Sequence, residues 1–185
     1  MPFYPLYGGA VATELPSEAI DVSQIREIPD TQEVFIIESK QNDPKLDSSI
    51  IFDLLESVQA NTVEELLQLH IKEISEDVEK PTTSYQTIRN DSLNQDAYFT
   101  YFIQKSPKRD KYSSVTLIGL IQLKKVDTDV LISVNVPFIP SAQELLTQEG
   151  IERDLSDSST SIGKGYKLLK SATANYTVKD WQLFG

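Results

Sequence analysis

The residues best placed to do chemistry are carboxylates. Asp30 and Glu33 stand three apart in Pro29-Asp30-Thr31-Gln32-Glu33, Asp53 and Glu56 interrupt an apolar run, and Asp127 and Asp129 flank Thr128. Paired acids can serve hydrolysis, bind a hard cation or merely hydrate a surface. Asp127 and Asp129 fall between two apolar stretches, where aspartate is favoured for turn geometry alone, and they are assigned to a hairpin turn. Asp53 and Glu56 fit either a solvated edge or a functional face, and the solvated edge is preferred. Asp30 and Glu33 follow Pro29 in a loop joining a helical turn to a strand, and such loops on rigid scaffolds are where binding residues concentrate. A lone acid pair at this spacing is also compatible with a solvated loop.

Other chemistries lack their parts. His70 is the only histidine and there is no cysteine, so neither a Ser-His-Asp triad nor a histidine or thiolate metal cluster can be assembled without His70 serving every role. His70 lies between Leu67 and Ile71 on the apolar stripe of a helix, which reads as a histidine at the edge of the core. No GxxxxGK[ST] loop or GxGxxG fingerprint occurs, and Gly163-Lys164-Gly165 is too short to be more than a helix entry. No catalytic residue, metal or cofactor is assigned.

The elements that must position these acids follow from patterning. Ala10-Val11-Ala12, after Gly8-Gly9, reads as a short first strand. Asp21 to Arg26 reads as one or two helical turns, capped by Asp21 or Ser23 and stopped before Pro29. Val34 to Ile37 is a second strand, and Gln41 to Lys45 a loop. Ser49 to Leu55 is too short to reveal its period and is taken as a strand. Thr62-Val63-Glu64-Glu65 matches a capping box, with Val63, Leu66, Leu67, Ile71, Ile74 and Val78 at helical spacing and Pro81 as a stop. Strands are expected near Tyr85 to Ile88, Tyr98 to Gln104, Val115 to Lys124 and Val130 to Val136, the last two joined as an antiparallel hairpin. Pro140 to Ser161 turns polar, with a short helix at Ala142 to Gln148 and then a Ser/Asp-rich mobile stretch. A final helix runs from about Ile162 toward Tyr176, leaving Trp181, Leu183 and Phe184 to dock as an apolar tail. Strands in the middle with helices before, between and after give one α+β domain over residues 1–185, with a polar loop or insert at about 140–161.

Charge narrows the partner. Residues 11–80 hold 17 Asp+Glu against 5 Lys+Arg, a balance of -12, whereas residues 81–185 hold 11 against 12, a balance of +1. An acidic first half repels phosphate backbones, which argues against nucleic acid and toward a basic protein surface. The apolar runs are too short for a spanning helix, which needs about 20 residues, so no membrane partner is expected. The N-terminus lacks a signal or transit pattern, and the absence of cysteine suits cytosol or nucleus.

Five ordered pieces then resemble the Ran guanine nucleotide release factor family, also called the MOG family. They are Leu6-Tyr7-Gly8-Gly9-Ala10; Asp21-Val22-Ser23 with Arg26 and Pro29 to Phe35; Ser49-Ile50-Ile51 with Asp53 to Glu56; Asp127 to Pro137; and Asp180-Trp181-Gln182-Leu183-Phe184. Ile28 and Thr31 stand where that family often has valine and asparagine. The resemblance implies a PsbP-like fold, a mainly antiparallel sheet of about six strands sandwiched between helices. It implies binding to the GTPase Ran, nucleotide release without covalent catalysis and support of nuclear protein import, mainly in the nucleus but also in the cytoplasm. A monomer is expected, and a separate Ran exchange factor is a further candidate partner. The family's functional acids map to Asp30 and Glu33, with Gln32, Arg26 and Asp21 as supporting contacts. A passive Ran-binding adaptor and a photosynthetic PsbP-type extrinsic subunit are the alternatives, and a carboxylate hydrolase is a remote third.

Overall fold

The computed structural model describes residues 1–22, 25–40, 43–75, 84–104, 112–139 and 147–185. Ten strands and three α-helices follow in the order β1 (Phe3–Leu6), β2 (Val11–Glu14), β3 (Ile20–Asp21), β4 (Gln32–Ile37), β5 (Ser48–Glu56), α1 (Val63–Ile74), β6 (Gln86–Asn90), β7 (Gln95–Gln104), β8 (Ser113–Leu123), β9 (Thr128–Phe138), α2 (Gln148–Leu155), α3 (Ser161–Ala174) and β10 (Thr177–Val178). One sheet has seven antiparallel strands in the order β3-β4-β5-β9-β8-β7-β6, and a smaller one has the order β1-β2-β10. The architecture is the expected α+β sandwich, with one strand more than anticipated in the main sheet and a second sheet beside it. β1 escapes sequence reading because Pro5 interrupts it, which an edge strand tolerates.

Strand alternation sends side chains to two faces, and each face has its own helix. Phe99, Leu117, Ile121, Ile132 and Val134 share a core with Leu168, Leu169 and Ala172 of α3. Phe102, Ile118, Leu120 and Leu131 pack instead with Leu66, Leu67 and Ile71 of α1. Each such fully buried Leu, Ile or Phe contributes about 1.5–3 kcal/mol. Gly165 allows the close approach of α3 to β9, since a Cβ there would overlap the Val136 side chain. Asn90 ties the β6–β7 turn to the end of α3, donating to the carbonyls of Thr173 (2.9 Å) and Tyr176 (2.8 Å).

Local expectations are corrected at several points. Asp21 pairs with Phe35 in β3 and directly precedes a helical turn that begins at Val22, while Ser23 lies outside the described residues. The chain then makes one turn, in which the Ile25 and Arg26 amides both donate to the Val22 carbonyl. The Thr62 side chain does cap α1, accepting from the Glu65 amide at 3.1 Å, but Glu65 reaches back to the Asn61 amide at 2.8 Å rather than to Thr62. Val78, Pro81 and most of the helix expected at Ala142 to Gln148 fall outside the described residues. Beyond them, the connection expected to be mobile holds α2, capped by Thr147, and a turn in which Thr160 caps α3 by accepting from the Gly163 amide at 2.9 Å.

Asp129 is a further correction. Only Asp127 has turn geometry, with a φ of 47°, whereas Asp129 lies in β9, fully buried. It faces α1, where it accepts from His70 Nε2 at 2.9 Å and from the Ser57 hydroxyl at 3.1 Å. His70 is itself fully buried, not at the core edge.

Candidate functional site

The loop before β4 is a hydrogen-bonded turn: the Gln32 amide donates to the Pro29 carbonyl at 2.9 Å, and Asp30 stands exposed at the tip. Two donors fix the Thr31 carbonyl, the Leu54 amide of β5 at 3.0 Å and the Tyr7 phenol at 3.1 Å. Glu33 is not a loop residue but the second residue of β4, and its Oε1 accepts from the Tyr7 backbone amide at 2.6 Å. That amide begins a left-handed segment with φ of 49° at Tyr7, 65° at Gly8 and 93° at Gly9. Two glycines adopt it freely, whereas Tyr7 does so at a steric cost, and the short bond to an acid offsets that cost. Thus Tyr7 grips the 29–33 segment twice, through its phenol at Thr31 and its backbone amide at Glu33.

Gln32 and Asp53 are opposite each other in the β4–β5 register, and Gln32 Nε2 donates to Asp53 Oδ2 at 2.8 Å. An open depression of about 480 Å³ lies at this corner, lined by Tyr7, Ile28, Pro29 and Leu183 together with Arg26, Glu27, Asp30, Gln32 and Glu33. The structure therefore brings together Asp30, Glu33, Gln32 and Arg26. Asp21 does not line the depression, although it lies close enough in β3 to act on Glu33.

Burial is the dominant influence on the site's acids. It pushes the Glu33 carboxyl above the usual carboxylate range, opposed by the Tyr7 amide and reinforced by repulsion from Asp21. Burial raises Asp53 likewise, against the stabilising Gln32 amide. The Tyr7 phenol is driven far above its ordinary range, chiefly by burial and further by Tyr176, Asp53 and Glu33, so it remains a donor. Among the described residues, no group of three or more His, Cys, Asp or Glu could hold a metal ion. What the corner can do chemically is accept: Glu33 offers a held carboxylate and Asp30 an exposed one to cationic donors.

Three contributors are not identified by sequence reasoning. In the sequence Asp53 reads as a solvated edge and Leu183 as a docking tail, and Tyr7 stands only within the Leu6-Tyr7-Gly8-Gly9-Ala10 resemblance. Turn chemistry could have flagged Tyr7, which abuts Gly8-Gly9, but only the sheet register brings Asp53 to Gln32.

The antiparallel sheet between helices, with carboxylates gathered at one corner, defines a small acidic α+β protein of the Mog1 type. Residues 4–137 match the family model described as Ran-interacting Mog1 protein, and the chain belongs to the Mog1 family. It is 33% identical over 189 residues to nuclear import protein MOG1 of Saccharomyces cerevisiae, covering 97% of this chain and 83% of that protein. It is 30% identical over 192 residues to human Ran guanine nucleotide release factor, covering 98% and 95%. The crystal structure of the S. cerevisiae Ran-binding protein Mog1p matches with a TM-score of 0.67 at 30% identity, covering all of this chain and 98% of that one. Residues 4–137 include every predicted site residue and exclude Leu183.

Proposed function

We propose that this chain binds Ran and promotes release of its guanine nucleotide, in support of nuclear protein import, as a regulator that makes and breaks no covalent bond. The observation that carries the proposal is the carboxylate-lined depression, in a chain whose family is described as Ran-interacting. Asp30 and Glu33 are its working acids, with Gln32, Arg26 and Asp21 in support. A GTPase holds its nucleotide through a phosphate-loop lysine and Mg²⁺, whose contacts also order the switch loops. A carboxylate presented to basic groups near that site replaces attraction that the phosphates supplied, so binding opposes nucleotide retention. The coupling is reciprocal: nucleotide must weaken the affinity of this protein for Ran by the factor by which this protein weakens nucleotide. In this reading the chain acts as one domain and as a monomer, chiefly in the nucleus and also in the cytoplasm, and can work beside a separate exchange factor.

The test is release of labelled GTP and GDP from purified Ran, with and without this protein and its Asp30→Lys variant. Asp30 is exposed at a turn tip, so charge reversal there leaves the fold intact and is expected to abolish both binding and release. Wild-type release rates with Asp30→Lys would refute the site. Binding without any release by the wild-type protein would make the chain a passive adaptor.

A further inference from the structure

We infer that the outward face of α3 is a second docking site, apart from the corner, and that it takes a short acidic segment of a partner protein on Lys164, Lys167 and Lys170. The three lysines are exposed and stand three residues apart, so they form one stripe, while Ile162, Leu168, Leu169 and Ala172 are buried on the opposite side. The helix Ser161–Ala174 contains no Asp or Glu, although the whole chain holds 28 acids against 17 Lys and Arg. Among the described residues none of the three ammonium groups has an ion-pair, hydrogen-bond or aromatic partner.

Local stability argues against this arrangement. Lys164 is the fourth residue of α3, near the positive end of the helix dipole, and no lysine stands in the last turn, where a cation would be favoured. Lysines three apart on a helix are neighbours that repel, and no acid on α3 relieves them. Glutamate at these positions would hydrate the face equally well and suit the start of a helix better. The side chains are exposed, so packing gives no reason for the choice. Where a sequence departs from local preference with no packing reason, function is the expected cause.

The ends of the stripe set the size of the ligand. Before α3, Asp157 is exposed in the turn that the Thr160 amide closes on its carbonyl. Beyond the stripe, Glu14 of β2 accepts from the Ser171 hydroxyl at 2.6 Å and from the Asn175 side-chain amide at 3.1 Å. The rise from Lys164 to Lys170 is about 9 Å, which three residues of extended chain span at about 3.3 Å each. A run of three or four Asp or Glu therefore fits between the flanking carboxylates. A nucleic-acid duplex or an anionic bilayer extends past them and is repelled at both ends, by a molecule whose net charge is already -11.

The experiment is an NMR titration of the isotope-labelled full chain with a capped peptide of alternating aspartate and glutamate flanked by glycine. The largest amide shifts are expected in α3, with a Kd that weakens as salt is added. The net charge of the chain repels this peptide, so shifts confined to α3 report the stripe and not general attraction. Lys164→Gln, Lys167→Gln and Lys170→Gln should each weaken binding about 2- to 5-fold, and the triple variant about 10-fold or more. Lys164→Glu tests the local argument separately: it should lose affinity yet raise Tm by about 1–4 °C. Absence of α3 shifts at millimolar peptide, an unchanged Kd in the triple variant, or a lower Tm for Lys164→Glu would overturn the inference. Tighter binding of duplex DNA, or of phosphatidylserine vesicles, through the same lysines would overturn it as well.

Discussion

Replacing Glu33 by glutamine separates the function of its charge from the function of its shape. The amide oxygen of glutamine can still accept from the Tyr7 backbone amide, now 2.6 Å from Oε1, so the left-handed turn keeps its anchor. A charge-assisted bond contributes about 1.5–3 kcal/mol and a neutral one about 0.5–1.5, so the weaker anchor costs on the order of 1 kcal/mol. Against that cost, the variant no longer buries a charge and no longer faces Asp21 with one. The raised pKa of Glu33 gives the sign of the balance, because it means that folding disfavours the ionised form. At pH 7 Glu33→Gln should therefore be at least as stable as wild type in thermal unfolding. As pH falls from above the folded pKa to below the unfolded one, native wild type takes up its proton first and regains stability, so the difference should narrow. Ran binding should move the other way. Loss of a charged bond to the partner, about 1.5–3 kcal/mol, weakens Kd roughly 10- to 150-fold. Calorimetric titration with Ran and unfolding at pH 7 and pH 5 read both arms. A fall in Tm of more than about 4 °C at pH 7, which is about 1 kcal/mol or more for a chain of this size, would show the charge to be a structural anchor. Unchanged Kd would remove it from the interface.

Two further outcomes follow from the same geometry. Tyr7→Phe deletes the phenol donor but leaves the Thr31 carbonyl its bond from the Leu54 amide, so Tm should shift by no more than about 4 °C. Amide exchange at Gln32, whose bond to Pro29 closes the loop, should accelerate severalfold with Ran affinity falling in parallel, while exchange in the central strands is unchanged. His70→Ala would strand the buried Asp129 carboxylate with only the Ser57 hydroxyl and a long contact from the Val58 amide. Breaking a buried pair on one side costs about 3–5 kcal/mol, which is roughly 6–20 °C in Tm; a loss under 2 °C would mean that the pair does not hold α1 to the sheet.

The parts of the fold legible in the sequence are those whose cause is local. Thr62 and the 3.6-residue spacing announce α1, and the short Asp127-Thr128-Asp129 link between two apolar stretches announces the β8–β9 hairpin. The parts that were not legible depend on partners far along the chain. A two-residue strand such as β3 has no period to read, and only pairing of Ile20 with Ile36 and Asp21 with Phe35 defines it. Asp129 has the same local chemistry as Asp127, yet it sits one residue inside β9, where alternation turns it toward His70, 59 residues earlier. At the site, Pro29 and its neighbouring acids were visible. The hold of Tyr7 on Glu33, across 26 residues, was not.

The same distinction ranks the acids of the corner. Asp30 is exposed at a turn tip and makes no hydrogen bond or ion pair among the described residues, so its replacement should touch binding alone. Glu33 divides one carboxylate between the Tyr7 amide and the depression, which is why its burial is tolerated and why its charge and its shape must be tested apart. Asp53 is bonded to Gln32 and does not line the depression. It stabilises the β4–β5 register from which the loop departs, so Asp53→Ala should loosen the loop before it weakens any direct contact with Ran. On the proposed reading, a carboxylate's distance from the hydrogen-bond network of the sheet, more than its place in the motif, should set how directly it acts on Ran.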